Sequence, residues 1–550
     1  MVVHNVVTHE NRRLPADSDW WRGAVIYQIY PRSYQDANGD GIGDIAGIIH
    51  RLPYVASLGV DAIWISPFFP SPMLDFGYDV MNYRDVDPMF GTLTDFDALI
   101  ERAHGLGLRV MIDLVLSHTS DQHRWFRESR TSRDNPKANW YVWGDPKPDG
   151  TPPNNWLAIF GGSAWEWDSE RMQYYLHNFL KEQPDLNFHD PEVQDELLAV
   201  ARFWLERGVD GFRLDTINFY FCDMDLRNNP ALDPERRDYS TAPEVNPYNW
   251  QEHLFDKSRP EMIPFLRRFR AVMDEFGDTA AVGEVGDAQR GMEIMGEYTH
   301  GDDLMQMCYA FEFLSAEAPS GRRVGSVLRK FATVAADGWA CWAFSNHDVE
   351  RHVTRWHLEP RQARIFLALL LTLRGSVCLY QGEELGLTEA YVPYVDLQDP
   401  YGKRFWPKFR GRDGCRTPMV WSDEPNGGFS DARPWLPVAL EHLRMAVSIQ
   451  EADPESMLVF YRRMVAWRKT RPALAKGSFE IVATSEDLIC YVRRLGGAAV
   501  LCAFNLGSAP LRVALPEGDW RTIGEGDFAG TIEGRDIVLP PAEALFAEPA

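Results

Sequence analysis

The sequence predicts an α/β fold: a (β/α)₈ barrel of the TIM type, with a small domain inserted after the third strand and an antiparallel β-domain at the C-terminus. Three observations predict it. Short apolar runs alternate with segments of helical period, the wiring of a parallel sheet. Eight such runs can be counted, the number that closes a barrel. No Gly-rich phosphate fingerprint follows the first run, which counts against the alternative, a doubly wound open sheet.

Residues 1–18 read as a loose tail. A buried strand follows at 24–30, then a turn-rich segment at 36–44 and a helix at 45–58 that stops at Gly59, a residue suited to helix ends. Strands at 61–65 and 109–115 flank a helix at 94–106. After an interruption come a helix at 191–207, a strand at 209–214, a helix at 260–276 and a strand at 279–283. Further strands fit 305–313, 339–344 and 376–380, with helices at 324–336 and 361–373 and a closing helix at 454–470. The interruption, 119–186, is rich in Trp, Asn, Pro and Gly and reads as the inserted domain; 389–435 is a second irregular stretch. From 476 the pattern turns to short alternating runs, at 488–493, 499–505 and 511–515. The chain therefore divides into a tail (1–18), a barrel (19–118 and 187–475), an insert (119–186) and a β-sandwich-like domain (476–550).

At 550 residues the chain is too long for one ordinary core. Its net charge of −24 excludes nucleic acid and anionic membrane surfaces as partners, because both need clustered Lys and Arg. The 19 Trp and 20 Tyr exceed what a core needs and suit flat, hydroxylated ligands. Cys222, Cys308, Cys341, Cys378, Cys415, Cys490 and Cys502 have no paired spacing. They read as reduced thiols, and with no apolar signal core or spanning segment the expected location is cytoplasmic. Oligomeric state is not readable.

The chemistry gathers at strand ends. Arg213 and Asp215 lie two apart, so on a strand they point to the same side. A carboxylate beside a guanidinium stays ionised, which fits a covalent nucleophile; alone, the pair reads equally as a structural ion pair. Other strand ends carry Asp113 and His118, Glu284, and His347 and Asp348. In a barrel these converge on one face. Crowded carboxylates push one pKa up and make a general acid. One ionised nucleophile and one protonated acid, about 5–5.5 Å apart, is what a retaining glycosidase needs. No HxH or HExxH pairing supports a catalytic metal.

With these residues the chain resembles the α-amylase superfamily (glycoside hydrolase family 13), in its bacterial α-glucosidase and oligo-1,6-glucosidase branch. The matching stretches are Asp113-Leu-Val-Leu-Ser-His118, Gln183-Pro-Asp-Leu-Asn187, Gly211-Phe-Arg-Leu-Asp215, Val282-Gly-Glu284, Phe344-Ser-Asn-His-Asp348, Tyr380-Gln-Gly-Glu-Glu-Leu-Gly386 and Arg416-Thr-Pro-Met419. The resemblance implies Asp215 as nucleophile, Glu284 as acid/base and Asp348 as the third, hydroxyl-binding carboxylate. It implies His118 and His347 as hydroxyl-binding histidines and Arg213 as partner of the nucleophile. Ser117 departs from it, standing where many members carry Asn.

The resemblance further implies an Asp75–Arg416 ion pair closing the pocket behind one terminal glucose, with Tyr78 stacked under the ring. Phe160 and Phe179 are candidate wall residues. Thr216, in a position where Val accompanies α-1,6 preference, leans the reading to α-1,4 linkages. The loop at 222–259 is placed to overhang the pocket and favour short substrates. Asp36, Asn38, Asp40, Ile42 (by its carbonyl) and Asp44 present oxygen donors on alternate residues, which suits Ca²⁺; the resemblance implies a structural Ca²⁺ or Mg²⁺ there and no organic cofactor. The implied activity is a retaining exo-α-glucosidase on small α-glucosides such as maltose, able to transfer glucose as well as hydrolyse. Oligo-1,6-glucosidase, a dedicated glucosyltransferase, a sucrose- or trehalose-acting enzyme and, from another class, a non-catalytic sugar-binding barrel are the alternatives.

Overall fold

The computed structural model describes residues 14, 16–335 and 337–550. Most of the tail expected over 1–18 lies outside them. Eight parallel strands form one sheet: β1 (Val25–Ile29), β2 (Ala62–Ile65), β3 (Arg109–Leu114), β4 (Gly211–Leu214), β5 (Ala280–Val285), β6 (Met307–Ala310), β7 (Cys341–Trp342) and β8 (Ser376–Tyr380). They pair in the order β7-β8-β1-β2-β3-β4-β5-β6. A parallel bridge between Cys308 and Ala340 joins β6 to the residue before β7, closing the barrel.

The pleat divides each strand between two cores. Ile26, Trp64, Met111, Val282, Met307 and Cys341 belong to the cluster inside the barrel. Their neighbours Tyr27, Ile63, Ile112, Phe212 and Leu214 pack outward in the larger cluster with the helices. Both faces are covered, as parallel sheets require. One inward step beyond Met111, Val282 and Met307, the side chains become Asp113, Glu284 and Tyr309. Polar chemistry thus occupies the top inward layer of an otherwise apolar interior.

The helices are α1 (Ile45–Ser57), α2 (Leu93–Gly105), α3 (Pro191–Glu206), α4 (Met262–Asp274), α5 (Gly291–Thr299), α6 (Gly321–Val334), α7 (Pro360–Thr372) and α8 (Met457–Lys469). Helix α1 buries Ile45, Ile48, Leu52 and Val55 along one face, and the Asp44 side chain caps it by accepting from the Gly47 N–H. The sequence reading has no helix between β5 and β6, because Gly291 and Gly296 weaken the α5 pattern. Packing selects it: a Cβ on Gly296 would meet the Val334 carbonyl oxygen at 2.4 Å, so glycine lets α5 lie against the end of α6. Strand β6 is also shorter than the expected 305–313, since Phe311–Phe313 form a 3-10 turn.

The insert holds a short helix (Arg124–Ser129) and three antiparallel strands, Trp143–Gly144, Trp165–Asp168 and Gln173–Leu176, with the last in the middle. The C-terminal region forms a five-stranded and a three-stranded antiparallel sheet enclosing their own core of Leu488, Val492, Leu501, Val513, Ile537 and Leu545.

Candidate active site

The C-terminal ends of the strands open into a cavity of about 620 Å³. Its lining includes Asp75, Tyr78, His118, Phe160, Phe179, Asp215, Thr216, Glu284 and Asp348, nine of the residues singled out from the sequence. Arg213, His347 and Arg416 lie behind that lining and hold it.

Arg213 is fully buried at the top of β4. Its Nη1 bonds Asp113 at 3.0 Å and also bonds Asp215; its Nη2 meets Glu284 Oε2 at 2.6 Å. One guanidinium therefore touches both carboxylates of the expected pair. Burial pushes the Glu284 carboxyl up to about 8, with the charges of Asp215 and Asp348 adding to the rise and Arg213 opposing it. Glu284 is thus protonated at neutral pH, as a general acid must be.

Asp348, beyond β7, has the opposite electrostatics. Burial alone raises its pKa, but His347, Arg412 and Arg416 hold it well below the usual carboxylate range. Arg416 Nη2 donates to Asp348 Oδ1 at 2.9 Å and Arg412 Nη1 lies at 3.2 Å from the same oxygen.

The expected Asp75–Arg416 pair is not what the fold makes. Asp75 pairs with Arg412, whose Nη2 lies 2.8 Å from its Oδ1 and 2.8 Å from Asp399 Oδ1. Arg416 instead serves Asp348 and donates from Nε to the His347 carbonyl at 2.6 Å. The two arginines share one stretch of chain; the path of the loop decides which fork reaches the floor. Gly411, with φ +79°, packs against Gly402, and a Cβ there would meet Asp399 Oδ2 at 2.5 Å. That close approach seats Arg412 on Asp399. Because Arg412 is shared, burial still pushes Asp75 up to about 6.

The histidines are neutral. Burial pulls His118 down to about 4 and holds His347 well below the usual imidazole value. His118 Nε2 faces the Tyr78 carbonyl at 3.0 Å and its Nδ1 faces the Ser117 hydroxyl at 2.8 Å. Ser117, the departure noted above, thus supports the ring directly. His347 stacks on Tyr78 at 5.3 Å between ring centroids, and the Tyr78 hydroxyl donates to Asp113 Oδ2 at 3.0 Å.

Thr216 takes a left-handed backbone conformation, φ 40° and ψ 51°, unusual for a β-branched residue. The turn aims its N–H at Glu284 Oε2 (3.1 Å) and its hydroxyl at Asp215 Oδ2 (3.2 Å). Strain concentrated beside reacting groups is a recurrent property of catalytic sites.

Phe160 and Phe179 form wall and core at once. Their rings meet edge-on at 6.1 Å; Phe160 packs on Tyr401 at 4.8 Å, and Phe179 on Phe219 at 5.5 Å. The loop at 222–259 is tied across the mouth: Asn246 Nδ2 donates to the Ile159 carbonyl at 2.7 Å and Lys257 Nζ to the Gly286 carbonyl at 2.8 Å. Sequence reasoning missed Arg412, Tyr309 and Asp399. Arg412 carried a signal, standing four residues before Arg416 in the same Gly/Asp-rich turn.

In the acidic loop, Asp36 Oδ1 accepts from the Gly39 N–H at 2.7 Å, Asn38 Oδ1 from Asp40 N–H at 3.0 Å, and Asp40 Oδ1 from Ile42 N–H at 2.8 Å. Asp44 bonds Gly47 and Ala37 N–H groups at 2.7 and 3.0 Å. Among the described residues no group of three His, Cys, Asp or Glu gathers as metal ligands. The loop has the donor types for a hard cation while its acids are occupied by backbone.

A family profile described as alpha amylase, catalytic domain, matches residues 28–477. The chain is 64% identical over 538 residues to a probable alpha-glucosidase of Rhizobium meliloti, spanning 97% of this chain and 98% of that protein. It is 35% identical over 568 residues to an oligo-1,6-glucosidase of Heyndrickxia coagulans, spanning 96% and 99%. Among solved structures it resembles an alpha-glucosyl transfer enzyme, XgtA, with a TM-score of 0.94 and 53% identity, covering 96% of this chain and 99% of that one.

Proposed function

The chain belongs to the alpha-amylase family, and from that premise we propose that it is a retaining exo-acting α-glucosidase releasing α-glucose from short α-glucosides, with α-1,4 bonds such as that of maltose favoured. The observation that carries this reading is the single guanidinium of Arg213 in contact with both Asp215 and Glu284. It supports the short carboxyl separation of a retaining enzyme, about 5–5.5 Å.

Asp215 attacks the anomeric carbon as Glu284 gives its proton to the leaving oxygen, and a covalent glucosyl-Asp215 forms. Water, deprotonated by Glu284, then attacks the same carbon and restores the α-anomer. Asp348, held ionised by Arg412 and Arg416, stabilises positive charge on the distorted ring. The Asp75–Arg412 pair closes the floor behind one sugar, which supports exo action. If a sugar or alcohol outcompetes water, the same intermediate yields a transferred glucoside; the likeness to an alpha-glucosyl transfer enzyme favours this as the second reading. A product profile on maltose, isomaltose, sucrose, trehalose and maltotriose tests the proposal. Fast release of α-glucose from maltose supports it; preference for isomaltose, trehalose or sucrose would reassign the substrate.

A structural Ca²⁺ or Mg²⁺ at Asp36, Asn38, Asp40, Ile42 and Asp44 is part of the same proposal, supported by the alternate oxygen donors. No catalytic step involves it. Calorimetric titration is expected to show Ca²⁺ binding, with a rise in Tm that Asp40→Ala removes. No heat and an unmoved Tm would end that assignment. A cytoplasmic location is also proposed, supported by seven cysteines that are all free and buried. Among the described residues no helix is long and apolar enough to cross a membrane.

A further inference from the structure

Glu284 has two oxygens in different surroundings. Oε2 accepts from Thr216 N–H at 3.1 Å and lies 2.6 Å from Arg213 Nη2. An oxygen that accepts an N–H and lies against a guanidinium cation is an unfavourable seat for the acid's own proton. Among the described residues, Oε1 accepts from the Tyr309 hydroxyl, at 3.2 Å. The proton of the acid therefore sits on Oε1. Tyr309, at the top of β6, also accepts from Arg213 Nη2 at 2.9 Å, and this orients its own proton toward Oε1.

We propose that Tyr309 is a positioning residue that governs delivery of the Glu284 proton. Tyr309 is buried and lies behind the pocket lining, so it acts through Glu284 and not on the sugar. When the glycosidic C–O bond breaks, its electron pair stays on the leaving oxygen, which takes the proton from Oε1. Oε1 then becomes a charged acceptor, and the Tyr309 hydrogen bond strengthens as the charge appears. In the second step the proton of the attacking water returns to Oε1. The charged groups facing Glu284 are Arg213 from β4, Asp215 just after it and Asp348 from beyond β7; all remain in place when the hydroxyl alone is removed.

The test rests on Glu284 being the acid/base, which Glu284→Gln checks separately: it should abolish maltose turnover while sparing kcat/KM on a 2,4-dinitrophenyl α-glucoside, whose leaving group needs little protonation, with kcat on that substrate falling because the second step has lost its base. Tyr309→Phe is then expected to lower kcat/KM on maltose about tenfold and on the dinitrophenyl substrate less than about twofold. Its alkaline limb should move up by about one pH unit, because the ionised acid has lost a donor. Incorporating 3-fluorotyrosine at position 309, a stronger donor of the same shape, should move that limb down. Equal losses on both substrates with an unmoved limb would make Tyr309 merely structural and overturn the proposal. Should Tyr309→Phe fail to fold, an unmoved limb in the fluorotyrosine protein does the same.

Discussion

The floor of the pocket and its mouth are built by different means. The floor is made of strand ends and the turn that carries Arg412, and its side chains are charged, buried and paired. Asp75, Asp348 and Asp399 share the guanidiniums of Arg412 and Arg416. The mouth is made of loops, and its walls carry the aromatic rings of Phe160, Phe179, Phe219, Phe311 and Tyr401 beside polar groups such as Ser240, Glu350 and Lys408. On the proposed function, fixed charges at the floor would recognise the hydroxyls of one sugar through directional bonds. Apolar walls discriminate leaving groups and acceptors weakly, since a hydrophobic contact distinguishes similar ligands by only ~1–3 kcal/mol. The pocket is therefore expected to be strict about the glucosyl unit it releases and more tolerant of the leaving group or acceptor.

The sharpest break in this contrast is Asp215→Ala. Turnover of maltose is expected to fall about 10⁴-fold or more, with an unchanged circular dichroism spectrum. Arg412→Ala comes next. It leaves Asp75, Asp348 and Asp399 short of a buried partner, which lowers stability by ~3–5 kcal/mol, and it removes a charged donor from the floor, so kcat/KM on maltose should fall about 10²-fold. A small effect of Arg412→Ala would return the floor to Arg416. Thr216→Val lies between floor and mouth and removes only the hydroxyl bonded to Asp215. The maltose-to-isomaltose ratio of kcat/KM should fall about fivefold; an unchanged ratio would count against the linkage reading.

The last effect is on stability. The Glu284 pKa is raised by burial to about 8 from ~4.5 in an unfolded chain. The folded state therefore binds the extra proton, and stability falls as pH rises across that window. Glu284→Gln should melt with the parent near pH 5 and above it near pH 8.5. A Tm difference that does not grow with pH would remove Glu284 from this accounting.

The same contrast explains what the sequence made legible. Asp113, Arg213, Asp215 and Glu284 stand at the ends of short apolar runs, where period-two alternation places them on one face, so the floor could be assembled on paper. Tyr309 was hidden inside its own expected strand, reading as one more apolar position. Arg412 and Arg416 could not be told apart, because the choice depends on the Gly402–Gly411 approach, a contact between loop segments with no local pattern. Helix α5 was lost for a related reason: Gly296 spoils the local propensity while making the packing against α6. Long-range close approaches, unlike alternation, leave no signature in a single chain.

On the proposed mechanism, Asp215 carries the glucosyl group between the two steps. The direct measurement is to trap that intermediate with 5-fluoro-α-D-glucosyl fluoride and map the labelled peptide by mass spectrometry. One fluoroglucosyl group is expected on Asp215, with β-face attachment and α-glucose as the turnover product. A label on any other residue, or β-glucose as the first anomer released, would contradict it.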